Sequence, residues 1–402
     1  MTSAAVPPDV FAALARTCPT PETTAALRAA IHARRMLLLK ALLVRVERQR
    51  ASLSPAAYRD FEDDWALLER AERADTAAVR GVLDYPTVGA WLAEALAAGT
   101  GADLEARLAH LGGVAVAAAV RAGRPPSGTR AVPSGRLALP GLGVLGCPSG
   151  RARVSSRDGT LRLTERAGWS PLRKLPGGTA VLDDLDPYRV PPRGIGAAAV
   201  PAAAHVRTEQ GEWTERWRLA RALLAATHPG RGAETDALVR AVVPLADGRG
   251  EGLPTGATLR AAPGAVLTQL PADASELVET LVHESHHTKL AALDEVVPLC
   301  RPGGALHRVA WRSDPRPVPA VLQGAYAHLA LLDLWSRAAR AVAVPADWRR
   351  RAAERFAGSR EEVAEALSVL RESDELTCAG RGFVREMRSH HERLGVADRN
   401  ST

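Results

Sequence analysis

One segment organises the chain, and it reads Glu279-Thr280-Leu281-Val282-His283-Glu284-Ser285-His286-His287-Thr288-Lys289-Leu290. It contains the pattern H-E-x-x-H as His283, Glu284 and His287. Residues four apart share one face of a helix, so the two imidazoles can bind a single metal ion together. Glu284 follows the first histidine round the helix and is expected beside the metal rather than on it. Two protein ligands leave coordination positions open for water or substrate, which catalysis requires.

The residues around this pattern favour a real, half-buried helix. Asp273 is a predicted N-cap, and Glu276, three residues further on, is its predicted capping-box partner. Apolar residues follow at helical spacing, namely Leu277, Leu281, Leu290 and Leu293. The alternative interpretation is a core helix in which both histidines only form hydrogen bonds. Buried imidazoles need partners, however, and a pair at i, i+4 suits a metal well.

The composition describes a chain with a large aliphatic core. Of the 402 residues, 46% are hydrophobic but only 4% are aromatic, which favours helices packed through Leu, Val and Ala. The formal net charge of +7 comes from scattered Arg residues. It indicates a solvated surface first and attraction of an acidic partner second. The sequence has no zinc finger and no basic run with interleaved aromatics, so we expect no nucleic-acid partner.

The cysteines and the N-terminal segment indicate a cytoplasmic protein. The four cysteines are far apart and form no C-x-x-C pair. A disulfide framework or a thiolate zinc site is therefore not expected. The first residues lack the basic and apolar regions of a signal peptide. No apolar run reaches the roughly 18 residues that span a bilayer, so we expect no membrane partner.

The patterning divides the chain into three predicted regions. Residues 1–123 are expected to be helical, residues 124–203 rich in Gly, Pro and short strands, and residues 204–402 to form a helical catalytic region. The predicted fold class is α+β, mainly α-helical with a small antiparallel β portion. The H-E-x-x-H helix is expected to pack beside a second metal-binding helix.

Several short elements are predicted within these regions. Alternating runs predict strands at residues 136–139, 151–154 and 160–164, with a hairpin turn at Ser156-Arg157-Asp158-Gly159. Residues 257–260 and 265–268 are predicted as a strand pair ahead of the motif helix. Residues 204–245 are predicted as helical, and Gly112-Gly113 is expected to interrupt a helix over residues 103–122.

A catalytic metal site needs a third protein ligand, and several positions can be excluded. The metzincin extension would place Gly and His where Leu290 and Leu293 stand, so that class is ruled out. Asp294 and Glu295 follow on the same helix and lie too far along it to reach back to the ion.

His328 is the preferred third ligand. It lies on a second strongly helical segment that opens after prolines. A lone His on an apolar stripe is more often a core residue, but a His pair that lacks a partner favours the ligand role here. Asp314 and Asp333 remain open as alternatives. Small residues surround His328 and would let a neighbouring helix approach closely: Gly324, Ala325 and Ala327.

The segment before that helix supplies candidate anion-binding groups. It reads Trp311-Arg312-Ser313-Asp314-Pro315-Arg316-Pro317-Val318-Pro319, and its three prolines predict an extended conformation. Arg316 is held between two of these prolines. A fixed guanidinium near a metal suits a bidentate carboxylate ligand. The alternative is a surface Arg316 that pairs with Asp314.

These motifs resemble a family of bacterial proteins, the α-ketoglutarate-dependent HExxH peptide β-hydroxylases of ribosomal peptide natural-product clusters. The resemblance covers most of the chain. At Ser285-His286 the family would have a bulkier residue and Gln, a departure that leaves the ligands intact. The similar segments are Leu281–Leu290, Trp311–Pro317, Leu322-Gln323-Gly324-Ala325-Tyr326-Ala327-His328, Tyr85-Pro86-Thr87-Val88-Gly89-Ala90-Trp91 and Asp184-Leu185-Asp186-Pro187-Tyr188-Arg189.

The resemblance implies a non-haem Fe(II) oxygenase that β-hydroxylates residues of a ribosomally synthesised precursor peptide. It implies that iron is bound by His283, His287 and His328. Three histidines depart from the usual pair of histidines with one carboxylate. The precursor peptide would be the partner, and an acidic leader would suit the basic charge of the chain.

The resemblance also implies a site for α-ketoglutarate as cosubstrate. The keto acid end would chelate the iron, and Arg316 or Arg312 would bind the distal carboxylate. Glu284 would act as a base or positioning group beside the iron.

Two further readings of the sequence stay open. In a zinc metallopeptidase, Glu284 would activate a metal-bound water to attack an amide carbonyl. The chain lacks a well-placed downstream Glu for that class. In the other reading the protein is a non-catalytic, peptide-binding partner in a biosynthetic cluster, with a structural metal or none.

Overall fold

A computed structural model describes residues 6–124, 128–132, 134–157, 160–163, 168–247 and 256–399. These ranges contain thirteen α-helices and thirteen short strands. The fold is mainly helical with a small β portion that includes antiparallel pairs, so the predicted fold class is confirmed. Residues 158–159 of the predicted hairpin turn and residue 164 of the predicted strand lie outside the described residues.

Seven helices form the first part of the chain. Proline in the first turn pre-sets the backbone φ of α1, α2, α3 and α5, because its fixed ring suits that position. Side chains of Thr20, Ser54 and Asp75 cap three of these helices. The seven are α1 (Pro8–Ala15), α2 (Pro21–Arg48), α3 (Pro55–Ala74), α4 (Thr76–Leu83), α5 (Pro86–Ala97), α6 (Ala102–Leu108) and α7 (His110–Arg121).

The predicted helix break at Gly112-Gly113 is wrong. Both glycines lie inside α7, and the chain breaks earlier, at Ala109, between α6 and α7. A Cβ atom on Gly113 would lie 2.0 Å from the backbone oxygen of Ala138. Gly113 is therefore required for the close approach of a strand to the helix, rather than for a turn.

The strands are short and form several small sheets. In chain order they are β1 (Gly128–Ala131), β2 (Arg136–Leu139), β3 (Gly143–Gly146), β4 (Arg151–Arg157), β5 (Thr160–Leu163), β6 (Trp169–Pro171), β7 (Arg173–Lys174), β8 (Val181–Leu182), β9 (Ala241–Pro244), β10 (Gly256–Ala257), β11 (Ala265–Thr268), β12 (Leu306–Val309) and β13 (Arg312–Pro317). The predicted strands at 136–139 and 265–268 match β2 and β11, and those at 151–154 and 160–163 fall in β4 and β5.

The sheet nearest the motif helix has the order β10-β11-β9-β8-β7. Strand β9 lies at its centre and pairs in parallel with β8 and β11, whereas the outer pairs are antiparallel. Residues 241–244 were predicted as helical, so β9 is a correction. All four residues of β9 are buried, and a short continuous apolar run does not distinguish a central strand from a helix. The predicted strand at 257–260 is also shorter, ending at Ala257.

Six helices complete the fold. The H-E-x-x-H segment lies in α10, which packs against α11. None of the helices in the described ranges is both long enough and apolar enough to cross a bilayer. The six are α8 (Gln210–Thr227), α9 (Pro229–Leu238), α10 (Ala274–Asp294), α11 (Val318–Arg340), α12 (Ala346–Glu372) and α13 (Cys378–Arg399).

The buried apolar residues form two large clusters. The first joins α1 and the start of α2 to the helices from α8 to α13. In it, the rings of Phe11 and Phe383 meet edge to face at 5.5 Å, and the Tyr326 hydroxyl donates to the Leu14 carbonyl at 2.7 Å. The second cluster contains residues of all the helices from α2 through α7, together with residues of the sheets. The division at residues 123 and 203 stays a prediction.

The N-cap of α10 is held by a network of polar contacts. Asp273 Oδ1 accepts hydrogen bonds from the Glu276 N–H at 3.0 Å and the Ser275 hydroxyl at 2.6 Å, and Oδ2 pairs with Arg351 at 2.7 Å. The Glu276 carboxylate accepts from the N–H of Ala272 at 2.8 Å, one residue before the position that a capping box uses. Burial opposes ionisation of Asp273, but these hydrogen bonds outweigh it and lower its pKa to about 2.

We expect Asp273→Ala to lower the free energy of unfolding by about 1 kcal/mol at pH 7. The folded-state pKa lies below the unfolded value, so the carboxylate stabilises the fold above about pH 4. This contribution is lost as the pH falls towards 2, and the two proteins should converge. Urea unfolding at several pH values measures the effect. Asp273→Asn, which keeps an acceptor, should lose less, and an equal loss for Asp273→Ala at pH 7 and pH 3 would contradict the expectation.

Candidate metal centre

Helices α10 and α11 bring three histidine side chains together. His283 and His287 lie one turn apart on α10, and their ring centroids are 4.7 Å apart with planes at 83°. The ring of His328 on α11 lies 5.2 Å from that of His283, at 89°. The Nε2 atoms of His283 and His287 are 3.0 Å apart. The three residues that the sequence predicts as ligands are therefore neighbours in the fold.

The spacing of these rings suits a shared metal ion. Ligand nitrogens bound at about 2.1 Å and at right angles lie about 3 Å apart, as the His283 and His287 Nε2 atoms do. Imidazole centroids would then be about 4.6 Å apart at right angles and about 5.3 Å apart at the tetrahedral angle. As the side chains stand, no group of three or more His, Cys, Asp or Glu in the described ranges is arranged to hold an ion. The Nε2 atoms of the pair on α10 lie close together, and the ring of His328 lies beside that of His283.

The hydrogen bonds of the rings fix which nitrogen is free. His287 Nδ1 lies 3.1 Å from Gln323 Oε1, and His328 Nδ1 lies 2.9 Å from the Gly324 carbonyl oxygen. These oxygens accept only, so each Nδ1 carries the hydrogen and each Nε2 keeps its lone pair. Burial lowers the pKa of all three histidines, which keeps them neutral. Neutral imidazoles with tethered Nδ1 atoms fit a divalent cation.

A cavity of about 400 Å³ opens beside the His283 and His287 rings. Its walls come from α2, from the segment that starts at β10 and from α10. Further along α10, Arg260 lies 2.8 Å from Glu295 and 4.0 Å from Asp294, and Arg34 lies 3.5 Å from Glu295. These charges are thus matched within the protein.

Glu284 lines the same cavity. Burial raises the pKa of its carboxyl to about 8, and among the described residues it has no hydrogen bond or ion pair. Gly256 in β10 lies close above it, since a Cβ there would be 3.2 Å from Glu284 Oε1. A bound cation would favour the ionised form again. Glu284 can therefore hold or accept a proton next to the imidazole pair.

The two candidate arginines lie in different places. Arg312 lines the cavity, and its positive charge contributes to the lowered pKa of His283 and His287, after burial. Arg316 pairs with Asp314 at 3.0 Å on the surface, and it is not among the residues that line this cavity. The structure thus brings Arg312 to the cavity beside the histidines. Arg316 forms the surface ion pair with Asp314 that the alternative interpretation predicts.

The carboxylates left open as third ligands are engaged elsewhere. Asp314 is exposed and paired with Arg316. Asp333 is buried and lies 3.4 Å from Arg231 and 3.0 Å from Arg337. Neither lines the cavity beside His283.

His286 faces a buried ionic cluster on the other side of α10. Its Nδ1 lies 2.7 Å from the Val282 carbonyl, and its Nε2 accepts from Arg231 at 3.1 Å and Lys289 at 3.2 Å. Glu234 bridges the same two cations, with Arg231 at 2.7 Å and Lys289 at 2.6 Å. This cluster holds α9 against α10, and His286 is not among the residues that line the cavity beside His283 and His287.

Two further segments of the resemblance contact each other rather than the histidines. The Tyr85 hydroxyl donates to Asp183 at 2.6 Å, and the Thr87 hydroxyl donates to Asp186 at 2.8 Å. Burial, with the nearby charge of Asp183 second, raises the pKa of Asp186 to about 7. These contacts fasten α5 to the loop after β8, so the two segments support the fold.

No role is predicted from the sequence for Gln323 or Trp311. Gln323 reaches His287 across two helices, and the Trp311 ring stacks on His328 at 4.4 Å. Both contacts depend on how α10, α11 and the β12–β13 hairpin pack, and no local spacing encodes that packing. Their presence within the family-like segments is the only signal that could have marked them.

Fold and site define a mainly helical protein with a candidate three-histidine metal centre. No family model matches the chain, and no curated protein is significantly similar to it.

We expect His286→Leu to lower the free energy of unfolding by about 2 kcal/mol, because Arg231 and Lys289 lose a shared buried acceptor. His286→Gln supplies an acceptor oxygen in place of the imidazole nitrogen and should cost less. Gln is also the residue that the resemblance places at this position. Urea unfolding of the three proteins gives the comparison. Equal destabilisation by Gln and Leu would show that the acceptor role is not what matters at this position.

Proposed function

We propose that the protein is a non-haem Fe(II), α-ketoglutarate-dependent oxygenase that β-hydroxylates residues of a ribosomally synthesised precursor peptide. The observation that carries the proposal is a set of neutral imidazoles from His283, His287 and His328 next to a cavity that Arg312 also lines. Imidazole ligands suit iron, and open coordination positions are what oxygenases use. When bound, iron would supply oxygen activation, coupled to oxidative decarboxylation of the keto acid.

Arg312 is assigned to the anionic cosubstrate. A guanidinium binds a carboxylate through two parallel hydrogen bonds, which fixes its orientation. A divalent cation and Arg312 together would leave this end of the cavity strongly positive. A dicarboxylate that contacts both groups would balance that charge.

The remaining residues position and shield the reactants. Gln323 and the Gly324 carbonyl hold the Nδ1 hydrogens of His287 and His328, so each ring presents Nε2. Glu284 holds or accepts a proton beside the ligands. Apolar residues line part of the same space, namely Ala30, Ile31, Leu259 and Ala291.

The shape of the cavity favours a chain-like substrate. A second cavity of about 570 Å³ shares Gly256, Ala257, Thr258, Leu259 and Arg312 with the first. It extends to the loop that contains Pro191 and Gly196. The two cavities therefore adjoin along the segment that starts at β10, which supports a peptide that passes the histidines rather than a small molecule.

A zinc metallopeptidase is the second candidate. It is favoured by Glu284, which lines the cavity beside His283 and His287 and could activate a metal-bound water. Strand β10 also contacts α10, and an edge strand could hold a peptide. The third neighbour of the pair is His328, however, and the downstream carboxylates Asp314 and Asp333 are engaged elsewhere.

We expect the purified protein to form a visible charge-transfer band when Fe(II) and α-ketoglutarate are added without oxygen. The band reports chelation of the keto acid by iron, so it separates the two candidates. Anaerobic absorbance spectroscopy measures it, with zinc in place of iron as the control. The oxygenase proposal fails if no band forms and the zinc-loaded protein cleaves peptides without oxygen, with cleavage abolished in Glu284→Gln.

Arg312→Ala should raise the α-ketoglutarate concentration for half-maximal band formation by about 10-fold or more, because a charge-assisted bidentate contact is lost. Arg316→Ala is the matched control on the same strand and should shift this concentration by less than about 2-fold. Titration of the anaerobic Fe(II) protein gives both values. A large shift for Arg316→Ala with none for Arg312→Ala would reverse the assignment.

A further inference from the structure

The indole of Trp311 covers one face of the His328 imidazole. The ring centroids are 4.4 Å apart and the planes are inclined by 18°, so the two rings are stacked. Trp311 lies in the turn between β12 and β13, and the hairpin packs against α11. A side chain from one element thus restricts the rotation of a predicted ligand on another.

Gly324 provides the space that this stacking needs. A Cβ atom on Gly324 would lie 2.8 Å from Trp311 Nε1 and 3.2 Å from two indole carbons. The same residue accepts the His328 Nδ1 hydrogen at 2.9 Å through its carbonyl. His328 is therefore held at Nδ1 by the helix backbone and on one face by the indole, while the ring of His283 meets it at 89°.

The stacking also connects the third imidazole to the cationic residue of the cavity. Arg312 follows Trp311 directly and is the first residue of β13, where it is paired with Val309 of β12. Displacement of the indole would move the backbone that carries Arg312. One hairpin thus supports both His328 and Arg312.

We propose that Trp311 is a positioning residue that orients the His328 imidazole towards the metal, and that Gly324 is required because it admits the indole. This inference rests on the metal centre of the proposed function. Aromatic stacking and the Nδ1 hydrogen bond act on different axes of the ring, so loss of the indole releases rotation that the hydrogen bond alone does not prevent. Loss of such support for a ligand typically weakens metal binding about 10- to 100-fold.

The test uses Co(II) alone as the probe, added to the full-length metal-free protein. Affinity is measured by competition with a chelator, and the visible Co(II) bands report the ligand set. Trp311→Phe keeps an aromatic face, and Trp311→Leu keeps apolar bulk without a ring. We expect Trp311→Leu to bind Co(II) about 10-fold or more weakly with altered bands, and Trp311→Phe to stay within about 3-fold of wild type.

Gly324→Ala tests the same contact without a change at Trp311. Alanine favours a helix more than glycine does, so a purely structural role predicts no loss of metal affinity. The proposal predicts weaker Co(II) binding, because the added methyl displaces the indole. Unfolding midpoints of each metal-free variant separate this effect from a loss of fold, and Gly324→Ala decides the question if Trp311→Leu does not fold.

Fluorescence gives a readout that does not depend on affinity. The chain has eight Trp residues, and Trp311 lies against a predicted ligand. Co(II) should quench part of the emission of the wild type, and that part should be missing in Trp311→Phe. Trp169→Phe, which removes an indole that is 37% exposed in β6, is the control and should leave the quenching and the affinity unchanged.

The outcomes distinguish this inference from the proposed function. If the wild type binds Co(II) and both Trp311→Leu and Gly324→Ala bind it equally well with unchanged bands, the positioning role is overturned and the metal centre stands. Equal weakening by Phe and Leu at position 311 would also overturn it, because the ring face would then be irrelevant. If the wild type binds no Co(II), the metal centre fails and this inference fails with it.

Discussion

The fold around the candidate site depends on one desolvated carboxylate. Glu234 on α9 is paired through its two oxygens with Arg231 and Lys289, and all three side chains are buried. Arg231 also reaches the Thr17 carbonyl after α1 and Asp333 on α11. The cluster therefore joins four segments of the chain. Removal of one partner from such a cluster leaves an uncompensated buried charge, which makes the arrangement specific even where its net contribution to stability is small.

This cluster also fixes the rotation of α10. Lys289 follows His287 by two residues, so it points about 200° away from it around the helix. With Lys289 and His286 committed to the ionic side, His283 and His287 must face the cavity. Rotation of α10 would separate Lys289 and His286 from the ionic cluster and would turn His283 and His287 away from the cavity. The cavity-facing orientation of His283 and His287 thus depends on residues that do not all line the cavity.

Local features of the site could be predicted from sequence, and packing-dependent features could not. The proximity of His283 and His287 follows from helix periodicity, and the Asp273 cap from a local backbone rule. The choice between Arg312 and Arg316 did not follow, because both have the same parity along β13. They are four positions apart, about 13 Å along an extended strand. Only the packing of the β12–β13 hairpin determines which of the two lines the cavity.

Elements whose neighbours are distant in sequence also differ from what their local patterns predict. Strand β9 has a continuous apolar run that suits a helix or a central strand, and its partners β8 and β11 decide between them. Gly113 was expected to break a helix, whereas it admits the backbone of Ala138. In both cases the conformation depends on a segment that is distant in sequence, and the local pattern of residues does not show that contact.

The contact between α1 and α13 has a consequence for synthesis of the chain. Phe11 packs on Phe383, and Arg16 pairs with Glu386, so the first helix docks on a surface that the last helix completes. On a ribosome, α1 emerges long before α13, so the face that packs on α13 stays uncovered until the last part of this contact is made. Contacts of such high sequence separation form late and slow folding. The uncovered face of α1 is therefore a surface that a nascent-chain chaperone could bind.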